Sequence, residues 1–172
     1  DHATVKGNEA KTLVQYAEEA GLSTGIVSTA RLTHATPAAC YAHSPARWWE
    51  SDADIKTGNE DAYRSGFPDI ARQLIEMPHG DGLEVALGGG RAKFTPVTSA
   101  DPEREGRSGE RLDGRDLPAE WQKRERSDYV WNKKQFDAID PKRTKHLLGL
   151  FEPSHMQYEI DRDKSPAGEP SL

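Results

Sequence analysis

The fold of this chain is decided by residues 25–49, which read GIVSTARLTHATPAACYAHSPARWW. Ile26 and Val27 are typical of a β-strand, and a polar turn follows them. Pro37 favours a helix over 37–43, because proline is well tolerated in the first turn of a helix. A strand that leads through a polar turn into a helix is typical of the ligand-binding edge of an open α/β sheet.

Three polar side chains of this stretch are the first candidates for a functional site: His34, Thr36 and Arg47. Loop side chains and helix N-termini converge at the carboxyl ends of parallel strands, where anionic ligands bind. Taken alone, His34 is equally well explained as a loop histidine bonded to the backbone. Arg47 alone is better explained as a solvated residue at a helix end.

The composition limits the classes of protein that remain. The 172 residues are enough for one domain with a core. The hydrophobic fraction of 34% and the mean hydropathy of −0.85 are low for a compact domain, so we expect part of the core to come from elsewhere. A net charge of −6 with scattered basic residues argues against nucleic-acid binding. Cys40 is the only cysteine, which excludes an internal disulfide and a CxxC metal site.

The sequence shows no targeting or membrane segment. No run approaches the roughly 18 to 20 apolar residues that a membrane-spanning helix needs. The start, Asp1-His2-Ala3, lacks the basic character of a secretory signal. We therefore expect the chain to begin after any such segment.

Hydrophobic periodicity predicts alternating helices and strands along the rest of the chain. We expect helices over 9–20, 67–77, 118–126 and 133–139, and strands over 23–29, 83–87, 129–131 and 145–151. Asn8 should cap the first helix, Gly21 should end it, and its apolar face should consist of Leu13, Val14, Ala17 and Ala20. This alternation predicts an α/β fold with a mostly parallel central sheet.

Three further stretches have no regular periodicity. Trp48 and Trp49 are expected to pack, and the following residues 51–54 form an acidic turn. Gly88, Gly89 and Gly90 favour a tight turn over a phosphate cradle, because neither GxGxxG nor a Lys-Ser/Thr pair is present. Residues 92–116 form a loop long enough to be functional or mobile.

Short motifs run through nearly the whole chain in a fixed order. They are STARLTHATPAA (28–39), YAH (41–43) with Arg47, SDAD (51–54), DIARQL (69–74), LGGGR (87–91), RLDG (111–114), YVWN (129–132) and LGLFEP (148–153). This ordered series resembles the alkaline phosphatases, and it is closer to their animal-type branch than to the enterobacterial one. The resemblance implies a three-layer α/β/α sandwich with a mostly parallel central sheet.

The resemblance also implies an activity. Alkaline phosphatases hydrolyse phosphate monoesters through a phosphoserine, with two zinc ions and one magnesium ion, and they also bind inorganic phosphate. Paired metals about 3.5 to 4 Å apart stabilise the attacking and leaving oxygens, and an arginine fork neutralises the phosphate. Homodimerisation and a periplasmic or extracellular location follow from the resemblance alone.

Particular residues match functional positions of that family. Arg47 matches the phosphate-binding arginine, Thr36 matches a hydroxyl ligand of magnesium, and His34 falls beside the water shell of that ion. A calcium site of the animal-type branch would take Glu103, the carbonyl of Phe151, Glu152 and Glu169. Residues 91–118 and 152–172 would then form a peripheral metal-binding region of a partial domain that spans 1–172. The alternative is that these are ordinary surface carboxylates, among 29 acidic residues.

The chain also departs from the family pattern. Nothing in it matches the Asp-Ser-Ala segment that holds the nucleophile, and most zinc ligands have no counterpart. We therefore expect an interior piece of a longer alkaline phosphatase, inactive alone. Two alternatives stay open: part of a related metallohydrolase such as a sulfatase, or a calcium-stabilised module without catalytic activity.

Overall fold

The fold is built on one parallel sheet, seen in a computed structural model that describes residues 9–172. Its strands are β1 (Gly25–Arg31), β2 (Val85–Gly89), β3 (Ser127–Val130) and β4 (His146–Leu150). The strand order is β1-β2-β4-β3, and all three neighbouring pairs are parallel. The predicted parallel α/β sheet is therefore confirmed, and the carboxyl ends of all four strands lie at one edge.

Eight short helices are described between and beside these strands. They are α1 (Leu13–Glu19), α2 (Ala35–Ala38), α3 (Asp52–Gly58), α4 (Glu60–Arg64), α5 (Ile70–Ile75), α6 (Arg91–Phe94), α7 (Leu117–Trp121) and α8 (Lys133–Asp137). The predicted helices are all longer than the observed ones. Helices α1 and α5 begin later than predicted because side-chain caps set their first residues, whereas α2 begins two residues before the predicted start at Pro37 and ends at Ala38 instead of residue 43. Asp69, for example, accepts a hydrogen bond from the backbone N–H of Arg72 and caps α5.

The polar stretch after Trp49 differs from its prediction. Residues 51–54 are not only an acidic turn: Ser51 is the N-cap of α3, and the Asp54 carboxylate accepts the Ser51 backbone N–H at 2.8 Å. This reciprocal cap is a helix-start signal that the sequence interpretation missed. Trp49 is buried as expected, whereas the prediction that Trp48 packs is wrong, since 61% of it is exposed.

Helix α1 also corrects two predictions. It begins after Thr12, whose hydroxyl accepts a hydrogen bond from the backbone of Gln15, and Asn8 lies outside the described residues. The predicted apolar face is only partly right: Val14 packs against the main hydrophobic cluster, but 86% of Leu13 is exposed, and the buried residues are Gln15 and Glu18. The buried face is polar because Gln15 meets the ring of His43 at 3.0 Å. The predicted end of α1 is confirmed.

Two hydrophobic clusters cover the two faces of the sheet. Successive strand residues point to opposite faces, so Leu148 joins a large cluster with α5 and α7, and Leu147 joins a smaller one with Phe136 of α8. Helices on both faces of a parallel sheet make three layers, as the α/β prediction required. Among residues 9–172, none of the helices is long and apolar enough to cross a membrane.

The glycine run forms the tight turn that the sequence predicts. Gly90 adopts a left-handed conformation with φ of +99°, and its backbone N–H donates to the carbonyls of Glu152 and Ser154 at 2.9 and 2.8 Å. A Cβ atom on Gly89 would lie 2.1 Å from the Ser154 carbonyl oxygen. The glycines therefore let the segment after β4 fold over the end of β2.

Candidate functional site

The first candidate residues lie just beyond the carboxyl end of β1. His34 is the N-cap residue of α2, and its Nε2 atom lies 3.3 Å from Nη2 of Arg47. The side chain of Arg47 is exposed. Thr36 lies within α2, is also exposed, and its hydroxyl has no hydrogen-bond partner in the part of the chain that the structure describes. The structure thus brings Arg47 and His34 together and leaves Thr36 open to solvent.

A buried carboxylate, Glu50, fixes the loop that carries His34. Arg31 donates to it from Nε and Nη2 at 2.8 and 2.7 Å, and the hydroxyl of Thr33 donates at 2.5 Å. Burial opposes the ionisation of Glu50, but the hydrogen bonds from Arg31 and Thr33 outweigh it and lower its pKa. A two-pronged arginine–carboxylate pair of this kind fixes orientation as well as charge. The loop is therefore rigidly attached to the end of β1.

His155 is a neighbour of this site that the sequence interpretation missed. Its ring stands edge-on to the ring of His34, with centroids 5.2 Å apart. Its Nδ1 atom lies 3.2 Å from the backbone nitrogen of Arg31, and its Nε2 atom lies 2.7 Å from Nη1 of the same residue. Both partners are donors, and a neutral imidazole accepts at only one nitrogen, so one of these two contacts is a hydrogen bond at any time.

Burial and neighbouring charges favour the neutral form of His155. Burial lowers its pKa first, and the positive charge of Arg31 and the nearby His34 lower it further. In its neutral form, the His155 ring adds no charge to the place where Arg47 stands. No local sequence signal marks His155, because the LGLFEP motif ends before it and only the folding back of residues 151–156 brings it to β1.

A second group of candidates lies on that same returning segment. Glu152 and Glu169 are 4% and 2% exposed, which rules out the surface-carboxylate alternative for these two residues. The Oε1 atom of Glu169 accepts the backbone N–H of Gln157 at 2.9 Å, and its Oε2 atom is buried without a partner. Within residues 9–172 the carbonyl oxygen of Phe151 accepts no hydrogen bond.

Mutual repulsion shows that these carboxylates are close enough to interact. Burial raises the pKa of Glu169 to about 7, the hydrogen bond from Gln157 opposes this, and the charges of Glu152 and Glu103 add to it. Burial and Glu103 likewise raise the pKa of Glu152. Both Glu152 and Glu169 therefore favour the protonated form more than an exposed glutamate does. Arginines contact all three residues: Arg91 lies 2.8 Å from Glu103, Arg104 lies 3.1 Å from Glu152, and Arg162 donates to the backbone carbonyl of Glu169 at 3.0 Å.

A different carboxylate cluster surrounds Arg111, which is fully buried. Its Nη2 atom lies 2.9 Å from Asp69, 2.5 Å from Asp113 and 3.9 Å from Asp52. The three carboxylates have oxygen atoms within 4.8 Å of one another, which is a spacing that could hold a metal. The guanidinium already occupies their common centre, so a metal ion would meet a fixed positive charge. This cluster therefore serves to attach the 92–116 loop to α3 and α5.

The comparison with known proteins decides the family. The sequence model of the family described as "Alkaline phosphatase" matches residues 2–172. The chain belongs to the alkaline phosphatase family. It is 43% identical over 176 residues to an alkaline phosphatase of Gadus morhua, a match that covers 98% of this chain and 35% of that protein. The chain therefore spans about a third of the length of this relative.

Solved alkaline phosphatases share the fold. The crystal structure of the Thermus thermophilus alkaline phosphatase superposes with a TM-score of 0.65 at 32% identity, over 96% of this chain and 27% of that one. A mutant of the alkaline phosphatase from the Antarctic bacterium TAB5, described with Mg bound in its M3 site, has a TM-score of 0.52 at 22% identity. That match covers 87% of this chain and 32% of the TAB5 chain, and it bears on the fold alone.

Proposed function

We propose that this chain is one part of an alkaline phosphatase that hydrolyses phosphate monoesters, and that it supplies the phosphate-binding arginine and one magnesium ligand. The observation that carries the proposal is the position of Arg47 against His34, at the carboxyl edge of the sheet of a chain that belongs to this family. Substrates of α/β folds bind at this edge.

Arg47 would bind two non-bridging oxygens of the phosphate with its planar guanidinium. His34 would orient Arg47 before the substrate arrives, because its Nε2 can accept a hydrogen bond from Nη2 across 3.3 Å. The Glu50 pair with Arg31 would hold the loop in place, so that less ordering is needed upon binding. Binding of the phosphate, orientation of Arg47 and support of the loop thus all depend on side chains of this chain.

The hydroxyl of Thr36 has the chemistry that a magnesium ligand needs. Magnesium prefers hard oxygen donors and keeps several waters, and the exposed Thr36 hydroxyl has no competing partner among residues 9–172. His34 would orient water beside that ion. The zinc pair and the serine nucleophile would come from parts of the enzyme that these residues do not provide. When bound, the metals would stabilise the negative charge that develops during phosphoryl transfer.

Glu103, the Phe151 carbonyl, Glu152 and Glu169 would hold a calcium ion in the peripheral region formed by 91–118 and 152–172. The support is the unpaired, buried Oε2 atom of Glu169, together with the raised pKa values of Glu152 and Glu169. A divalent cation would pair the orphaned oxygen and relieve the repulsion. Calcium accepts six to eight oxygens in flexible geometry, which suits a mixed set of carboxylates and one carbonyl.

Two further proposals are supported by the family resemblance alone: homodimerisation of the full-length enzyme, and a periplasmic or extracellular location. Sedimentation of the full-length enzyme at several concentrations tests the first. Fractionation of the source cells tests the second.

The decisive experiment replaces Arg47 with Ala in the full-length enzyme and measures hydrolysis of p-nitrophenyl phosphate and inhibition by inorganic phosphate. Loss of charge-assisted hydrogen bonds worth about 1.5–3 kcal/mol should raise the Michaelis constant and the phosphate inhibition constant by about 10- to 100-fold. The matched control is Arg64→Ala on α4, whose exposed pair with Glu60 lies on the helix surface. Unchanged constants in Arg47→Ala would contradict the role of this residue.

The 1–172 chain is assayed alone in parallel, with zinc and magnesium added. We expect no metal-dependent turnover, since the nucleophile segment and most of the zinc ligands have no match in this sequence. Turnover that persists after purification to constant specific activity would show that the chain is a complete enzyme.

A further inference from the structure

The segment that follows β4 returns across the carboxyl edge of the sheet and carries His155 to the candidate site. Backbone hydrogen bonds fix the residues on both sides of it. The Ser154 carbonyl accepts the N–H of Gly90 at 2.8 Å. The N–H of Met156 donates to the carbonyl of Thr29 at 2.9 Å, and the Met156 side chain is buried in the smaller hydrophobic cluster. The backbone at His155 is therefore held against the ends of β1 and β2.

The ring of His155 is attached to Arg31 at the end of β1. Its Nε2 atom lies 2.7 Å from Nη1 of Arg31, and its Nδ1 atom lies 3.2 Å from the backbone nitrogen of the same residue. A hydrogen bond from a guanidinium is stronger than one between neutral groups. Arg31 is held in turn by its two hydrogen bonds to the buried carboxylate of Glu50. The His155 ring is thus joined to the rigid part of the site.

The ring of His34 depends on its neighbours for its orientation. His34 is the N-cap residue of α2, but its side chain makes no capping hydrogen bond, so the helix does not fix the ring. The ring instead meets the His155 ring edge-on, with centroids 5.2 Å apart and an angle of 68° between the planes. Its Nε2 atom lies 3.3 Å from Nη2 of Arg47. Packing against a fixed neighbour limits the rotamers that such a ring can adopt.

A chain of contacts therefore runs from Arg31 through His155 and His34 to Arg47. Arg47 is exposed, and a long exposed side chain loses conformational freedom when it binds a ligand. Contacts that order it beforehand improve binding because less freedom is lost at that step. A purely structural role explains less about His155, since the residue is exposed and its segment is already held by backbone hydrogen bonds.

We propose that His155 is a positioning residue for phosphate binding. It holds the ring of His34, and His34 holds Arg47 in the orientation that binds the phosphate. The inference rests on the proposed role of Arg47 in binding phosphate monoesters. His155 acts through these two residues and makes no contact with the substrate itself.

The test replaces His155 with Ala in the full-length enzyme, at one fixed pH, and measures hydrolysis of p-nitrophenyl phosphate and inhibition by inorganic phosphate. The Michaelis constant and the phosphate inhibition constant should both rise by about 2- to 12-fold, the effect of losing one aromatic pair, while kcat stays unchanged. His155→Phe keeps a ring beside His34 and should restore both constants. His155→Asn keeps an acceptor for Arg31 without the ring and should not.

The matched control is His79→Ala, which removes a histidine that pairs with Glu19 of α1 and should leave both constants unchanged. If His155→Ala does not fold, the comparison of His155→Phe with His155→Asn still decides, and equal constants in these two variants would overturn the inference. A fall in kcat together with a lower melting temperature, neither rescued by His155→Phe, would show a structural role and would also overturn it.

A double mutant separates this inference from the proposed function. His155→Ala should have no further effect on either constant in the Arg47→Ala enzyme, because its effect passes through Arg47. Additive effects would overturn the inference, since His155 would then act independently of Arg47. If Arg47→Ala raises both constants and His155→Ala alone raises neither, the inference fails and the proposed function stands. If Arg47→Ala itself changes nothing, both fail.

Discussion

Replacing Glu169 with Gln should separate the calcium proposal from a purely structural role of this carboxylate. Glu169 is buried, one of its oxygens has no partner, and its pKa is raised to about 7. A carboxylate whose pKa is higher in the folded state favours folding only while it is protonated. Stability of the metal-free chain should therefore fall as the pH rises from about 4.5 to about 7, and the full penalty applies at pH 8.

The size of the effect follows from these values. The difference of about 2.5 pH units from the usual pKa of 4.5 corresponds to about 3 kcal/mol as an upper limit. Solvent and side-chain relaxation reduce this, so we expect metal-free Glu169→Gln to be about 1 to 2 kcal/mol more stable at pH 8 than the unchanged chain. Calcium at about one hundred times its dissociation constant should add about 2.7 kcal/mol to the unchanged chain only.

The assay is thermal unfolding of the 1–172 chain at pH 8, in a chelator and in calcium. The unchanged chain should gain about 5–10 °C with calcium, and Glu169→Gln should gain almost nothing. Glu105→Gln is the matched control, because Glu105 lies on the same loop as Glu103 but is exposed. Equal calcium stabilisation of Glu169→Gln and the unchanged chain would refute the assignment of Glu169. Lack of calcium stabilisation in the unchanged chain would refute the site.

Three other predictions concern stability. Arg111→Met leaves buried carboxylates without their cation and should lower the free energy of unfolding, measured by chemical denaturation, by about 3–5 kcal/mol. The exposed control Arg64→Met should lower it by less than about 1 kcal/mol. Equal losses in the two variants would contradict the role of the buried network. Gly89→Ala should lower the free energy of unfolding by at least about 2 kcal/mol, because its Cβ would collide with the Ser154 carbonyl. An unchanged free energy of unfolding would show that the segment after β4 can move to make room. Burial opposes ionisation of Asp101, but the hydrogen bond from Arg91 outweighs it and lowers the pKa of this carboxylate. The pair should therefore stabilise the chain above about pH 4, and this stabilisation should be lost as the pH falls. Unfolding measured between about pH 2 and pH 5 tests this.

Much of the fold could be predicted from local patterns. The four strands, their parallel arrangement and the turn at Gly90 follow from short apolar runs and from glycine placement. Helix boundaries were less predictable, because caps such as Thr12 and Asp69 depend on the side-chain conformations that form after folding. The face of α1 was predicted only in part, because Leu13 is exposed and the buried Gln15 pairs with His43, 28 residues along the chain.

The candidate site divides in the same way. The sequence by itself determined the family motifs and the place of His34, Thr36 and Arg47 after the first strand, because strand, turn and helix signals act over a few residues. Only the tertiary structure brought His155 to Arg31, which is 124 residues earlier. The physical reason is that such contacts depend on strand order and on how loops pack over strand ends.

The same reasoning applies to the buried charges. The sequence shows that Glu169 is acidic, but only burial makes an unpaired oxygen costly. That cost arises from losing contact with water, and water is lost only when segments distant in sequence close around the group. Composition therefore determined the charges, and the packing of the fold decided which of them lost contact with water.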